Sequence, residues 1–316
     1  MKAHDFIEAW SSLLRISEQD VSALVLRAPY QYKHYQIPKH TGGMRDIYHP
    51  TPNLKAIQRW LVQKLLHKLP VHDAVYSYRV GTGIRDHAAS HLHSNFLMRL
   101  DFSNFFPTIN DAWLREFLLA QIDSGNLDVE PEAIPLLIRI ICRFSKHDKT
   151  MALSIGAPSS PMLSNAILFS VDEQARQRSS ALDCIYTRYA DDLYISSRKP
   201  DCLRAANTEL RKIVAEVAPR LRINEAKTTN VSKKTTRVVT GLVLTPDRKV
   251  SVGREMKRKI KTQVYLSANS RLSQEEFDHL CGLVAYVRDV EPTFFEALTA
   301  KFGEVVIQRL LRHSAE

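Results

Sequence analysis

Two adjacent aspartates, Asp191 and Asp192, lie inside "YTRYADDLYISSR" (residues 186–198), between flanks rich in aromatic and β-branched residues. Those flanks predict two strands, with the aspartates at the turn of a hairpin. An Asp pair alone is ordinary turn chemistry, because its short carboxylates bond nearby backbone. Upstream, however, an apolar run over residues 96–100 leads directly into Asp101, the pattern of a buried strand that ends at a functional carboxylate. Two-metal phosphoryl transfer is a chemistry that uses such a set. It holds two divalent ions about 3.5–4 Å apart, and hard cations need negatively charged oxygen ligands. Consecutive strand residues face opposite sides, so a tight turn must redirect the second acid, and Asp191 is the preferred direct ligand over Asp192.

Charge points to the same class of partner. Lys and Arg number 44 against 34 Asp and Glu in 316 residues, a net charge of +10, which suits a polyanion such as nucleic acid. The 44% hydrophobic content provides for substantial cores and argues against disorder. Cys142, Cys184, Cys202 and Cys281 are scattered, with no CxxC pair and no disulfide framework, as expected in a reducing cytoplasm. No uncharged apolar run reaches the ~18 residues that a membrane span needs, so no membrane association is expected.

The chain shows no internal repeat and no low-complexity linker. A helical N-terminal part is followed by a short β region around "KHTGGMRDIYHP", turning at Gly42 and Gly43, and by the periodic helix "LKAIQRWLVQKLLHKL". In "APSSPMLSNAILFSVDEQA", Ser160 is the expected N-cap, Pro161 occupies the first turn, and Leu163, Ile167 and Val171 form an apolar stripe. "LRINEAKTT" and "RVVTGLVLT" read as a further strand pair, and from about Val250 the chain reads as mainly helical.

The segments "LDFSNFFPTI" (100–109), "IGAPSSPMLSNAI" (155–167), "YTRYADDLYIS", "INEAKT" (223–228) and "VVTGLVLT" (238–245) occur in the order of the palm motifs of reverse transcriptases. The set resembles a retron reverse transcriptase. "HAASH" (87–91) is similar to the Asn-Ala-x-x-His segment that precedes the first palm strand of retron enzymes, with His87 in place of Asn, and "VTG" (239–241) matches a second retron hallmark. The resemblance covers nearly the whole chain. It implies an α+β fold of right-hand polymerase architecture: an N-terminal helical region and fingers over 1–97; a palm over 98–236, with interspersed fingers elements and an antiparallel sheet carrying the Asp triad; and primer-grip-like strands with a mainly helical thumb over 237–316.

Carried over residue by residue, the resemblance makes Asp101, Asp191 and Asp192 the catalytic triad for two Mg²⁺ ions, with the Phe102 backbone carbonyl as a further ligand. Arg45 resembles the fingers residue that contacts the incoming triphosphate, with Lys39 as a possible assistant. Phe106 aligns with the aromatic residue beneath the nucleotide sugar, where a ring clashes with a ribose 2′-hydroxyl; core packing is the plainer account. Gly156 belongs to the loop that supports the nucleotide, although Ile155 stands where many relatives have Gln, which removes one hydrogen-bond donor. Lys227 corresponds to the basic residue proposed to protonate departing pyrophosphate. RNA contact falls to His87, His91, Val239, Thr240 and Gly241. It also falls to one helical face of "GREMKRKIKTQVY" formed by Arg254, Lys257, Arg258 and Lys261, where the resemblance places recognition of a stem-loop. A solvated helix is the ordinary meaning of such a charge run. His87 and His91, with His93 nearby, have zinc-compatible spacing only if another ligand arrives from elsewhere, and neutral histidines in a packed helix are the simpler account.

The implied activity is RNA-directed DNA polymerisation. A cognate structured noncoding RNA is copied with dNTPs into multicopy single-stranded DNA, primed from a 2′-hydroxyl of the same RNA, in a bacterial cytoplasm. A separate effector protein and an anti-phage role follow from family membership. No second acidic cluster or long C-terminal extension is available for a ribonuclease H domain, so template removal is expected from a host ribonuclease H. Two alternatives stay open: a short bacterial or group II intron-like reverse transcriptase using a 3′ primer, and a catalytically idle RNA-binding protein.

Overall fold

The computed structural model describes residues 1–38 and 42–313. Helix α1 (Ala3–Leu14) begins where the Lys2 N–H donates to Asp5, and α2 (Glu18–Arg27) begins at Ser17, whose hydroxyl accepts from the Asp20 N–H. Phe6 and Trp10 of α1 meet Trp60 of α3 (Pro52–Lys64) in an aromatic cluster with ring centroids 5.5–6.3 Å apart. Between them, β1 (Tyr32–Pro38) and β2 (Met44–Pro50) form an antiparallel ribbon. Gly42 and Gly43 both take positive φ, as the expected turn requires. Most of β1 is exposed, while β2 buries Ile47 and Pro50.

After α4 (Ile84–Ser90), the chain enters the central sheet. Strand β3 (Phe96–Asp101) is followed by α5 (Phe105–Thr108), α6 (Asp111–Asp123), α7 (Ile134–Ile141), the small hairpin β4 (Arg143–Ser145) and β5 (Thr150–Ala152), α8 (Ser160–Ile167) and α9 (Phe169–Ala181). Strands β6 (Cys184–Tyr189) and β7 (Asp192–Ser197), α10 (Pro200–Val217) and β8 (Thr229–Ser232) complete this part. The sheet order is β6-β7-β3-β8, with every neighbour antiparallel. Alternation divides its faces. Met98, Leu100, Leu193 and Ile195 enter one core with α9 and α10, whereas Leu97 and Tyr194 point into a second core.

That second core belongs to the C-terminal third. Strands β9 (Arg237–Val239), β10 (Leu242–Leu244) and β11 (Val250–Ser251) form a three-stranded sheet below α11 (Arg254–Ala268), α12 (Gln274–Val290), α13 (Pro292–Phe302) and α14 (Glu304–His313). Ile260, Val264, Leu280, Val284, Val287 and Leu298 fill it, and Ala88 of α4 joins them. No helix among the described residues is long and apolar enough to cross a membrane, and all four cysteines are free.

The expected strand pair near residue 230 is rearranged. "RVVTGLVLT" makes its own hairpin, β9–β10, through Thr240 and Gly241, both at positive φ (46° and 83°). Two positive φ values in a two-residue loop match the twist of the flanking strands, so the hairpin closes locally. In "LRINEAKTT" only the end becomes strand: β8 starts at Thr229 and pairs with β3. Likewise, α8 begins at Ser160 itself, which accepts a bond from the Ser154 N–H and is not the cap. The apolar stripe through Val171 is broken at Leu168, between α8 and α9.

Candidate active site

The β3–β7 register places Asp192 directly opposite Asp101, so both carboxylates leave the same face at one end of the sheet. Tyr189 and Asp192 flank a two-residue turn made by Ala190 and Asp191, and the Asp191 carbonyl accepts from the Phe102 N–H at 3.2 Å. The turn thereby brings Asp191 against the end of β3. Asp101 is buried (3% exposed), and its Oδ2 accepts from Lys227 Nζ at 2.6 Å. Asp192 accepts from Arg99 Nε at 2.9 Å. Among the described residues, no Lys or Arg forms an ion pair with Asp191.

Burial first, then the Asp101 charge, push the Asp191 carboxyl above its ordinary range. Burial lifts Asp192 to about 6, against the opposing pull of Arg99. Carboxylates crowded in this way favour whatever supplies positive charge. The donor set is hard oxygen and fits divalent cations of the Mg²⁺ type. Among the described residues, no three His, Cys, Asp or Glu side chains already converge as a metal cluster; Lys227 and Arg99 neutralise two of the three acids instead.

Around the triad, Arg45 is exposed on β2 and close enough to Asp191 to lower its proton affinity. Lys39 lies outside the described residues. The paired phenylalanines divide their work: Phe105 is buried and stacks on Phe102 (5.7 Å), while Phe106 is only partly covered. Gly156 has φ +109°, and a Cβ there would stand 2.9 Å from the Tyr48 carbonyl oxygen. Beside it, the Tyr48 N–H donates to the Ile155 carbonyl (2.9 Å). Glycine is therefore required where this loop crosses the ribbon, and Ile155 acts there through its backbone.

Several expected RNA contacts are corrected by burial. His87 and His91 are both 0% exposed. Each shares a hydrogen bond with Thr187 Oγ1, at 2.7 and 2.8 Å, and His91 shares a second with Ser196 Oγ at 2.7 Å. The His87 ring stacks on Tyr76 and Tyr189. Burial drives its pKa down to about 3 and that of His91 well below the ordinary value, so both are neutral packing groups with no surface for RNA. Val239 is also fully buried; only the Thr240–Gly241 tip of that motif reaches the surface. In α11, Lys257 is turned inward to Glu291 (2.5 Å), which also accepts from Ser251 Oγ and the Val252 N–H. Lys257 is thus part of the helix's attachment, not of a phosphate-contacting face. Lys261 is exposed with its ammonium 5.5 Å from the Phe294 ring centre, and Arg254 and Arg258 are exposed.

Sequence reasoning missed Arg99, although its alternation with Asp101 along β3 signals a shared face. It also missed Tyr78, half-exposed at positive φ (57°) within electrostatic reach of Asp191 and Arg45. Positive φ in a bulky residue has no reliable sequence signal.

Comparison with known proteins shows the family. Residues 37–261 match the family described as reverse transcriptase (RNA-dependent DNA polymerase). The retron Ec83 reverse transcriptase of Escherichia coli is 36% identical over 91% of this chain and 92% of its own length. The retron Ec73 reverse transcriptase of the same organism is 33% identical over 89% and 90%. Among solved structures, a foamy viral protease-reverse transcriptase in complex with double-stranded DNA superposes with a TM-score of 0.46. It is 14% identical and covers 90% of this chain and 43% of that one.

Proposed function

The chain belongs to the reverse transcriptases, and within them to the retron enzymes; from that premise we propose that it copies part of a cognate structured noncoding RNA into single-stranded DNA, primed from a 2′-hydroxyl of that RNA. Its activity is RNA-directed DNA polymerisation. The observation that carries the catalytic reading is the register that sets Asp101 opposite Asp192 at one sheet end, with Asp191 in the adjoining turn, where burial and neighbouring negative charge raise the last two. Residues 1–97, 98–236 and 237–316 serve as fingers, palm and thumb.

Asp101, Asp191, Asp192 and the Phe102 carbonyl would hold two Mg²⁺ ions. When bound, such ions activate the attacking hydroxyl and neutralise charge on the leaving oxygens. The hydroxyl oxygen bonds to the α-phosphorus as the bond to pyrophosphate breaks. Arg45 receives the triphosphate, a task suited to a forked guanidinium. Gly156 keeps the nucleotide-supporting loop against the ribbon. Lys227, already on Asp101, is placed to offset or protonate pyrophosphate. Phe106 lies beneath the sugar and excludes a 2′-hydroxyl, and Arg99 fixes the Asp192 carboxylate. Arg254, Arg258, Lys261, Thr240 and Gly241 provide the RNA-facing surface.

A separate effector protein, template removal by host ribonuclease H, an anti-phage role and a cytoplasmic location complete the proposal. Sequencing the nucleic acid that copurifies with the protein tests it. A branched RNA–DNA species is expected. Linear DNA extended only from a 3′ end would return the enzyme to the intron-like alternative.

A further inference from the structure

Behind the catalytic turn lies a fully buried ionic network with no part in the chemistry described above. Arg188 and Asp172 are both 0% exposed. Arg188 Nε donates to Asp172 Oδ1 and Oδ2 at 2.8 and 3.1 Å, and Nη2 donates to Oδ2 at 2.6 Å; the Tyr186 hydroxyl donates to the same carboxylate at 2.8 Å. The remaining donors of Arg188 go to the Asn165 carbonyl (3.3 Å), Asn165 Oδ1 (3.1 Å) and the Ala190 carbonyl (3.0 Å). All five N–H groups of the guanidinium are used. Asn165 in turn donates from Nδ2 to the Ser77 carbonyl (2.9 Å), and Ser77 Oγ accepts from the Ala190 N–H (2.8 Å). The chain leading to Ser77 lies along β6: the Arg188 N–H donates to the Ala74 carbonyl, and the Tyr76 N–H to the Arg188 carbonyl.

Two bonds of this network, one from Ser77 and one from Arg188, end on Ala190. That residue has φ +55°, at the first position of a two-residue hairpin turn, where glycine is favoured when φ is positive. Its N–H and C=O are each held by a side chain from outside the turn, Ser77 and Arg188. The next residue is Asp191. Buried ion pairs are seldom needed for stability, since apolar replacements of similar volume serve as well. A buried arginine held on three sides by Asp172 and Asn165 that also bonds the Ala190 carbonyl is better explained by the need to fix a direction.

We propose that Ser77, Asn165, Arg188 and Asp172 are positioning residues that lock the Ala190–Asp191 turn and thereby aim the Asp191 carboxylate at the divalent cation. This inference rests on the polymerase reading above. Misplacing a reacting group by about 1 Å can cost on the order of 100-fold in rate. Ser77→Ala removes one clamp with little change in volume. Arg188→Lys keeps the charge opposite Asp172 but cannot span both Asn165 and Ala190.

The test uses the full chain. Single-nucleotide incorporation on an RNA template gives kcat and the KM for dNTP; Mn²⁺ affinity is read from the electron paramagnetic resonance signal of free Mn²⁺; the unfolding midpoint is measured in parallel. The expected result for Ser77→Ala is a kcat reduced about 10- to 100-fold with KM for dNTP little changed, and a several-fold weaker Mn²⁺ affinity in protein that is folded. Arg188→Lys should show the same split, and if it does not fold, Ser77→Ala decides alone. Parental kcat and Mn²⁺ affinity in folded Ser77→Ala would overturn the proposal, whatever its unfolding midpoint. If the parent makes no DNA, the polymerase reading fails, and Mn²⁺ affinity alone still judges the network.

Discussion

At the tip of the β6–β7 hairpin, Asp191 and Asp192 are crowded near Asp101 and driven toward higher pKa, whereas further down the same hairpin His87 and His91 rest on Thr187 and Ser196 as neutral rings. Both groups are ionisable and shielded from water. They differ in what surrounds them. The histidines have hydroxyl partners and stacked aromatic faces, and they avoid charge altogether. The aspartates have one another, with Arg99 and Lys227 as partial relief. Burial among neutral hydroxyl and aromatic partners builds the fold, even with His87 Nδ1 left without a partner among the described residues, whereas burial of like charges is the mark of a functional-site candidate.

The sharpest way to break this comparison is to remove the repulsion. Asp192→Asn should cut DNA synthesis by about 1000-fold or more, because several kcal/mol of charge stabilisation at the transition state depends on these acids. The same change should stabilise the metal-free fold. A carboxyl with a folded pKa of about 6, above its unfolded value near 4, contributes stability below pH 4 that is lost as pH rises to 6. The unfolding midpoint of the variant should therefore exceed the parent's above pH 6, and the two should converge below pH 4. Denaturant titrations across that range check the sign.

Phe106→Ala tests the aromatic neighbour of the site. It should raise ribonucleotide incorporation relative to deoxynucleotide by about 10- to 100-fold, the scale on which an apolar pocket discriminates a hydroxyl. Unchanged sugar selectivity would make Phe106 a packing residue like Phe105.

The histidine layer gives a pH effect of opposite sign. A folded His87 pKa of about 3, below an unfolded value near 6.5, means that stability is complete above pH 6.5 and is lost as pH falls toward 3, with His91 acting in the same direction. His87→Asn should cost roughly 1–3 kcal/mol at pH 7 through its buried partners and should flatten the acid side of the stability curve. Synthesis per folded molecule at neutral pH should change little. A large loss of RNA affinity in the folded variant would contradict the packing role.

These two regions are unequally legible in the sequence. The hairpin and Asp101 announce themselves locally, through alternation, a two-residue turn and an apolar strand ending in an acid. The histidines do not, because the hydroxyls that neutralise their interest as ligands lie 100 and 105 residues away, at Thr187 and Ser196. Lys257 misleads for the same reason: helical spacing puts it in a basic run, but its partner Glu291 is 34 residues on. Arg188 and Asp172 are only 16 apart, yet nothing in either side chain's type says that they meet at 0% exposure behind the turn. The β9–β10 hairpin is hidden by Thr240, a β-branched residue at positive φ where Asn or Gly is expected.

The smallest effect belongs to α11. Each phosphate that Arg254 or Arg258 neutralises should add up to ~0.7–0.9 to the slope of log affinity for RNA against log salt, so Arg254→Gln with Arg258→Gln should flatten that slope by the corresponding amount. Lys257→Gln should leave the slope unchanged and lower the stability of the C-terminal helices, since it strands Glu291.

Metal-dependent primer extension on an RNA template by the parent and by Asp191→Asn bears most directly on the central claim, that the buried acids at the hairpin tip form the polymerase's cation site. The variant has nearly the same shape and lacks one negative charge. Synthesis by the parent should require Mg²⁺ or Mn²⁺ and should collapse in folded, RNA-binding Asp191→Asn; extension near the parental rate by that variant, or by the parent in excess chelator, would contradict the account.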